Sequence, residues 1–351
     1  MKLRKVIISI FVIIIVKEAS LYKKMDERVI CTACNRYCVL KDGQIGFCGI
    51  RKNVEGKLYL LSWGLTASMN IDPIEKKPLF HFKPGSKVLS ISTTGCNWMC
   101  KYCQNYDISQ RRTVDGYTLY PEDARKILKE YGANGASYTY NEPTIFAEYA
   151  RDIAEEIKKV NGFNTFVSNG YLSKEAVDYV SSFLDAITVD FKGNANDSFA
   201  RKYINIKSYE PVFQTLKSLK EKGLHIELTD LIVPVEGIGD NIEDARQLVS
   251  WIKMNLGENV PLHFTRFHPD YLMSEVPPTP ISILEEHYRM ARDEGLKFVY
   301  LGNVPGSKLE NTYCPRCGRL VIERAGFSIT RKFYDNSGHC NFCGEDLHIV
   351  T

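Results

Sequence analysis

The cysteines constrain this chain more than any other feature of its sequence. There are eleven of them in 351 residues, and they fall into three tight groups. The groups are residues 31, 34, 38 and 48, then 96, 100 and 103, then 314, 317, 340 and 343. A secreted disulfide framework normally has an even number of cysteines in a much shorter chain. Groups of four, three and four cysteines therefore indicate three metal sites.

The charge balance argues against one large class of partner. The chain carries 45 basic and 42 acidic side chains, a formal net charge of +3. So small an excess gives no electrostatic reason to expect a dedicated nucleic-acid binder, and we expect no nucleic-acid partner. A hydrophobic fraction of 44%, with 24 glycines and 14 prolines, is typical of a globular chain. The length allows one large domain with smaller satellites.

The first residues have the shape of a signal peptide. Residues 1–5 are basic, and residues 6–16 form an apolar run that is too short to span a bilayer. Lys17 and Glu18 follow where a cleavage site would need small residues. The segment is a mis-annotated start or disordered leader, a true export or tethering signal, or an amphipathic structural segment. We favour the first interpretation and expect a cytoplasmic protein with no stable membrane partner.

Strand and helix patterns alternate through the middle of the chain. Apolar runs predict strands at residues 87–92, 135–138, 163–168, 186–190, 224–233, 261–266 and 298–301. Helix patterns lie between them at residues 121–131, 144–160, 173–183, 209–222, 241–256 and 280–294. Such alternation requires parallel strands with right-handed crossovers. Seven strands favour an α/β fold built as a full or partial β/α barrel.

Four regions follow from these patterns. Residues 1–24 are the leader, and residues 25–60 form an N-terminal four-cysteine module. The partial barrel covers residues 61–310, and a C-terminal module similar to a zinc ribbon covers residues 311–351. A segment as short as the last one needs a metal to fold.

The central cysteines form a CxxxCxxC triplet directly after the first predicted barrel strand. Cys96, Cys100 and Cys103 cannot complete an all-cysteine zinc site without a fourth donor. A 4Fe-4S cluster on three cysteines leaves one iron open for another ligand. The alternative is a structural zinc site that borrows His81 or His268. The position favours catalysis, because barrel active sites lie at the C-terminal ends of strands.

The triplet resembles the signature of radical S-adenosylmethionine (SAM) enzymes, in which an aromatic residue, here Tyr102, precedes the last cysteine. More narrowly, the chain is similar to the radical SAM enzyme of the AmmeMemoRadiSam system, a relative of pyruvate formate-lyase activating enzymes. This resemblance rests on residues 72–85, 96–105, 140–144 and 300–304. It implies a 4Fe-4S cluster on the three catalytic cysteines and reductive cleavage of SAM to a radical that takes hydrogen from a substrate. It also implies a ferredoxin or flavodoxin type electron donor, with a protein as one candidate substrate.

Polar residues at the ends of successive predicted strands are candidates for cofactor binding. The candidates are Tyr102, Asn141, Glu142, Asn169, Asp190, Lys192 and His268. On a β/α barrel the strand ends converge on one mouth. The resemblance assigns residues 140–142 to the Gly-Gly-Glu motif that holds the amino group of SAM, although the glycines are absent. For the other residues an N-cap role is the alternative.

The flanking cysteines indicate two further metal modules. The pairs Cys314, Cys317 and Cys340, Cys343 are typical of a zinc ribbon. The less regular set of Cys31, Cys34, Cys38 and Cys48 suits either zinc, which we favour, or an auxiliary iron-sulfur cluster.

Two charged segments need an interpretation as well. The basic residues of the C-terminal module predict a solvated face, or else a docking surface for protein or RNA: Arg316, Arg319, Arg324, Arg331 and Lys332. The charged run at residues 75–77 predicts either a solvated face or a cover over the barrel mouth.

A zinc-dependent nucleic-acid-binding protein without catalysis is the main functional alternative, and a non-catalytic iron-sulfur electron carrier is another. The near-neutral charge and the incomplete central triplet count against the first, and the large barrel counts against the second.

Overall fold

A computed structural model describes residues 16–235 and 237–351. Most of the predicted leader, residues 1–15, lies outside this part of the chain. Seven short strands open the described chain: β1 (Lys17–Glu18), β2 (Tyr22–Met25), β3 (Arg28–Cys31), β4 (Val39–Leu40), β5 (Arg51–Val54), β6 (Lys57–Leu60) and β7 (Leu65–Thr66). The first six build two three-stranded sheets, in the orders β1-β6-β5 and β2-β3-β4.

The N-terminal module begins earlier than the sequence predicts. Lys17 pairs with Leu60, and Leu21 is buried. Residues 17–24 therefore belong to the module and not to the leader. Sequence patterns place them in the leader because β1 and β2 are short and polar, so that only their pairing defines them as strands.

An eight-stranded sheet forms the centre of the protein. The next strands along the chain are β8 (Ser68–Pro73), β9 (Lys87–Ser92), β10 (Tyr117–Thr118), β11 (Gly135–Tyr138), β12 (Phe163–Ser168), β13 (Ala186–Lys192), β14 (His225–Ile232), β15 (Leu262–Arg266) and β16 (Val299–Gly302). The order in the sheet is β16-β15-β14-β13-β12-β11-β9-β8, while β10 pairs with β7. Strands β9 to β16 of the sheet are parallel, and β8 runs antiparallel to β9. The predicted α/β partial barrel is confirmed.

Eight helices accompany the strands of the described chain: α1 (Tyr106–Ser109), α2 (Pro121–Glu130), α3 (Ala147–Lys158), α4 (Lys174–Val180), α5 (Asp197–Phe199), α6 (Glu210–Glu221), α7 (Ile242–Asn255) and α8 (Ile281–Asp293). Local chemistry sets their ends. Pro121 occupies the first turn of α2, and the Asn241 side chain caps α7 by accepting the N–H groups of Glu243 and Asp244. No helix in the described ranges is both long and apolar enough to cross a membrane.

Residues 74–82, which follow strand β8 and precede β9, form the floor of the barrel. We call them the floor segment. It begins with a 3-10 helix, Ile74–Lys76. The Thr188 hydroxyl donates to the Lys77 carbonyl at 2.7 Å, and Glu227 accepts the N–H groups of Phe80 and His81. Thr188 and Glu227 are each the third residue of their strand, so the floor segment lies at the end opposite the mouth.

The C-terminal module packs against this floor. Its strands are β17 (Thr312–Tyr313), β18 (Leu320–Ala325) and β19 (Ser328–Lys332). Phe82 forms a parallel bridge with Val350. Arg324 is only 6% exposed and donates to the Phe80 carbonyl at 3.0 Å, so the prediction of a solvated face is wrong for Arg324. Lys332 donates to the Pro84 carbonyl and also contacts the barrel.

Candidate active site

The central cysteines lie on the loop after strand β9. Because β9 is parallel to β11, this loop emerges at the same edge as the loops after the other parallel strands. Cys96 is buried, whereas Cys100 and Cys103 are partly exposed. The Cys96 Sγ accepts the Trp98 N–H at 3.4 Å, and the Cys103 Sγ lies 3.0 Å from the Ser109 Oγ.

The spacing of the central thiols differs from that of the C-terminal four. The sulfurs of Cys314, Cys317, Cys340 and Cys343 all lie within 4.8 Å of one another, and within the described ranges no other group of three or more potential ligands does so. The central triplet is therefore not arranged around a single ion. A 4Fe-4S cluster suits it better, because each cysteine binds a separate iron.

Within the described residues, neither histidine of the zinc alternative lies close enough to the triplet to form a group of metal ligands with it. Both ring nitrogens of His81 are occupied, Nδ1 at 2.9 Å from the Leu347 carbonyl and Nε2 at 2.6 Å from the Tyr300 hydroxyl. The side chain of His268 is 69% exposed, and its Nδ1 lies 3.5 Å from Asp270.

One cavity of about 520 Å³ brings the predicted site residues together. It is lined by Cys96, Cys100, Tyr102, Cys103, Asn141, Glu142, Asn169, Asp190, Lys192 and His268, among others. These residues come from the C-terminal ends of five parallel strands or from the loops that follow them, and these converge because the strands are parallel. A volume of this size suits a ligand of nucleoside dimensions.

Glu142 ties two of these loops together. Its Oε1 accepts hydrogen bonds from the N–H and hydroxyl of Thr144 at 3.0 and 2.6 Å and from the Ser168 hydroxyl at 2.8 Å. Its Oε2 accepts only the Asn169 N–H, at 2.8 Å. Burial raises the pKa of Glu142, while the hydrogen bonds oppose that shift. One side of the carboxylate thus keeps acceptor capacity within the cavity lining.

Several buried polar atoms at the cavity lack a protein partner. Asn141 Nδ2 donates to the Gly95 carbonyl at 2.9 Å, but its Oδ1 has no partner. The Trp98 Nε1 is also unpaired. Buried polar groups are nearly always hydrogen-bonded, so unpaired ones on a cavity wall indicate a polar ligand.

A partly buried cation completes this wall. Lys192 Nζ lies 3.0 Å from Asp190 Oδ2, and the Thr229 hydroxyl donates to Asp190 as well. Burial by itself lowers the pKa of Lys192, but Asp190 outweighs burial and raises it. Lys192 in turn opposes the rise that burial causes in the pKa of Cys100.

Sequence patterns missed a polar group at the floor of the cavity. Lys77 Nζ lies 2.7 Å from Asp72 Oδ2, and the Tyr140 hydroxyl donates to the same carboxylate. Although burial alone would raise it, these hydrogen bonds hold the pKa of Asp72 well below its usual range, whereas burial lowers the pKa of Lys77 to about 8. Glu75 and Lys77 are 2% and 1% exposed, so the prediction of a solvated face is wrong for both. The one available signal was that prolines and apolar residues flank the charges.

The C-terminal module also reaches the cavity. Gly326 and Phe327, at the turn between β18 and β19, line it, and Phe327 is 49% exposed. No local sequence pattern places this turn near the central cysteines.

The comparisons with known proteins agree with this site. Residues 90–251 match the Radical SAM superfamily. An uncharacterized protein of Methanocaldococcus jannaschii, MJ0808, is 43% identical over 338 residues, which cover 95% of this chain and 99% of that protein. The biotin synthase of Buchnera aphidicola subsp. Baizongia pistaciae is 24% identical over 174 residues, 47% of this chain and 48% of the synthase. A domain of pyruvate-formate lyase-activating enzyme from Bacteroides vulgatus is similar in structure, with a TM-score of 0.40 and 14% identity over 49% of this chain and 100% of that one.

The chain belongs to the radical SAM superfamily, and it is a radical SAM enzyme. The resemblance found in the sequence is confirmed at the level of the superfamily, which implies a 4Fe-4S cluster and SAM as cofactors. A non-catalytic nucleic-acid-binding protein receives no support.

Proposed function

We propose that Cys96, Cys100 and Cys103 hold a 4Fe-4S cluster at which the protein cleaves SAM. When bound, the cluster and SAM supply a one-electron cleavage to methionine and a 5′-deoxyadenosyl radical, which removes a hydrogen atom from the substrate. The observation that carries the proposal is the shared cavity, in which three widely spaced thiols face unpaired polar groups.

The chain's own residues account for the two ends of such a cofactor. Glu142 Oε2 has room for a second hydrogen bond and can accept one from the ammonium group. Asn141 Oδ1 supplies an unpaired polar atom for one of the more distant hydroxyl or base groups. Asn169 joins these loops, because its N–H donates to Glu142 and its Nδ2 donates to Asn97 Oδ1 at 2.8 Å.

The remaining cavity walls keep water and stray reactants away from the reacting groups. The floor segment closes one end, since its main chain is hydrogen-bonded to Glu227. Lys192 places a positive charge beside the cysteines, which favours their thiolate form. Protein contacts of this kind position and shield the reaction, while the cofactor supplies its difficult step.

The open end of the cavity is the route for the substrate. Phe327 and His268 both line the cavity and are exposed. Exposed apolar and polar side chains in the cavity lining suit a substrate that docks on the surface and inserts one group, as a modified protein would. We therefore keep a protein as the first candidate substrate and a ferredoxin or flavodoxin type protein as the electron donor.

The test is product formation under anaerobic conditions. The reconstituted protein is given dithionite and SAM, and 5′-deoxyadenosine and methionine are measured by liquid chromatography. We expect both products from the wild-type chain and none from Cys100→Ser. Undiminished product from Cys100→Ser, in protein that still folds by circular dichroism, would contradict the assignment.

A further inference from the structure

The cysteines of the N-terminal module form a metal-ligating group that the proposed reaction does not use. Cys31, Cys34 and Cys48 are buried, and Cys38 is partly exposed. The segments that carry them lie against one another, because the Cys31 N–H donates to the Cys38 carbonyl at 3.0 Å and the Arg36 guanidinium lies 3.6 Å from the ring centroid of Phe47, the residue before Cys48. Four neighbouring cysteines, three of them buried, in a region without disulfides indicate a metal site.

The sulfur–sulfur distances in the C-terminal module can be compared with those of the N-terminal cysteines. Its sulfurs are 3.5 Å apart between Cys314 and Cys343 and 3.9 Å apart between Cys317 and Cys340. Tetrahedral zinc with bonds of about 2.3 Å requires sulfurs about 3.8 Å apart. No three of the N-terminal sulfurs, all of which the structure describes, lie within 4.8 Å of one another. The N-terminal group therefore shares its wider spacing with the central triplet and not with the zinc-like module.

The N-terminal and central cysteine groups are adjacent. Gly95 has a φ of +86°, and a Cβ at this position would lie 2.1 Å from the Cys48 carbonyl oxygen. The Arg112 guanidinium bridges the two loops, since it donates to the carbonyls of Cys96 and Phe47, the former at 2.7 Å. The loop of Cys48 and the loop of Cys96 are therefore in contact through Gly95 and Arg112.

A basic cleft opens the N-terminal group to the surface. The cleft has a volume of about 600 Å³, and Cys38 is part of its wall. Arg36, Arg201 and Lys207 also line it, and no acidic residue does. An acidic partner protein would match this charge, because complementary potentials guide association and fix the orientation of docking.

We propose that the four N-terminal cysteines hold a second 4Fe-4S cluster, which takes electrons from an acidic low-potential protein donor bound in the basic cleft. The donor loses one electron and the second cluster changes from the 2+ to the 1+ state. The second cluster returns to the 2+ state when it passes this electron to the central cluster. The assignment of the second cluster depends only on the spacing of the cysteines. Its role as the point at which electrons enter the protein rests on the proposed function.

Metal analysis tests the cluster. In the Cys96→Ala, Cys100→Ala, Cys103→Ala triple variant we expect about four iron, about four sulfide and about one zinc per chain, with the electron paramagnetic resonance (EPR) signal of a reduced 4Fe-4S cluster after dithionite treatment. Adding Cys38→Ser should remove the iron and leave the zinc, which reports that the chain remains folded. About two zinc and no iron in the triple variant would overturn the proposal.

A second, independent variant tests the cluster if the triple variant folds poorly. Cys38→Ser alone, at the most exposed of the four cysteines, should lower the iron content of the otherwise wild-type chain by about half. Unchanged iron in this variant would also overturn the proposal.

Charge reversal tests the cleft. We expect Arg201→Glu combined with Lys207→Glu to slow cluster reduction by reduced flavodoxin at least tenfold, followed by EPR, and to leave reduction by dithionite unchanged. Arg289→Glu, on the exposed face of α8, is the matched control. Equal rates with flavodoxin in both variants would overturn the role of the cleft. Because cluster reduction is measured without SAM, this result does not depend on the proposed cleavage.

Discussion

Glu227 and Asp230 lie three residues apart on strand β14, both completely buried, and their pKa values shift in opposite directions. Alternation along the strand places them on opposite faces of the sheet. Glu227 faces the floor segment and accepts hydrogen bonds from two main-chain N–H groups as well as contacts from His225 and His263. Asp230 accepts one hydrogen bond, from the Asn194 N–H at 3.1 Å, and its Oδ2 has no partner.

Glu227→Gln should remove part of the acid sensitivity of the protein. Burial by itself would raise the pKa of Glu227, but hydrogen bonds from His225 and His263 hold it well below the ordinary value of 4.5. The ionised carboxylate therefore stabilises the fold above about pH 4.5, and this contribution is lost as the pH falls. At pH 7 we expect the variant to lose about 1 to 3 kcal/mol of unfolding free energy. Below pH 4 the difference from wild type should shrink, as measured by urea unfolding at several pH values.

Asp230→Asn should change the stability of the protein in the opposite direction from Glu227→Gln. Burial raises the pKa of Asp230 to about 7, so the folded protein holds a proton between about pH 4 and pH 7 that the unfolded chain releases. The stability that this proton brings is lost as the pH rises through 7. At pH 8 the variant should be more stable than wild type by roughly 2 to 4 kcal/mol. At pH 4 the two should be equal, and a constant difference at all pH values would contradict the assignment.

The parallel core of this fold could be predicted from the sequence, and the edges could not. Strands β9, β11 and β12 have the predicted bounds, because each is a buried apolar run that ends at a polar or glycine residue. The antiparallel strand β8 has the sequence SMNIDP and shows no apolar run. Its position depends on pairing with β9, which no local pattern encodes.

The residues of the candidate site also divide into those that the sequence predicts and those that it does not. Glu142 and Lys192 follow predicted strands, so the parallel topology alone places them at one mouth. Lys77 and Phe327 reach the same cavity from the floor segment and from the C-terminal module. Their positions depend on how separate segments pack together, for which the local sequence carries no pattern.

Glu142→Gln should weaken SAM binding about tenfold or more and leave the iron content unchanged. The variant loses one charge-assisted contact, worth about 1.5 to 3 kcal/mol. Thr144→Val is the matched control, since it removes the 2.6 Å hydrogen bond to Glu142 but keeps the charge. The control should lose stability and retain SAM affinity within about threefold, measured by equilibrium dialysis of the anaerobic protein. Equal affinity losses in both variants would indicate that Glu142 acts only on structure.

Arg324→Ala should detach the C-terminal module from the barrel. The Arg324 guanidinium donates to the carbonyls of Phe80 and Glu310 at 3.0 Å each and to the Thr312 hydroxyl at 2.8 Å, and it lies 3.9 Å from the Phe80 ring centroid. Removing it leaves buried acceptors unpaired, at a cost of about 2 to 4 kcal/mol of unfolding free energy. Arg331→Ala, with a side chain 66% exposed, should change stability by less than about 0.5 kcal/mol. Thermal unfolding compares the two, and equal melting temperatures would refute the docking role.

Cys317→Ser should empty the C-terminal metal site and leave the iron in place. Its four sulfurs lie within 4.8 Å of one another, an arrangement that suits one tetrahedral zinc. Because metal binding supplies most of the folding free energy of so small a module, the variant should lose about one zinc per chain. Limited proteolysis should then cut within residues 311–351 before it cuts the barrel. The brown colour that an iron-sulfur cluster gives to a protein should persist, since the central triplet is a separate group. Loss of iron with zinc retained would show that the two metals are assigned to the wrong ends of the chain.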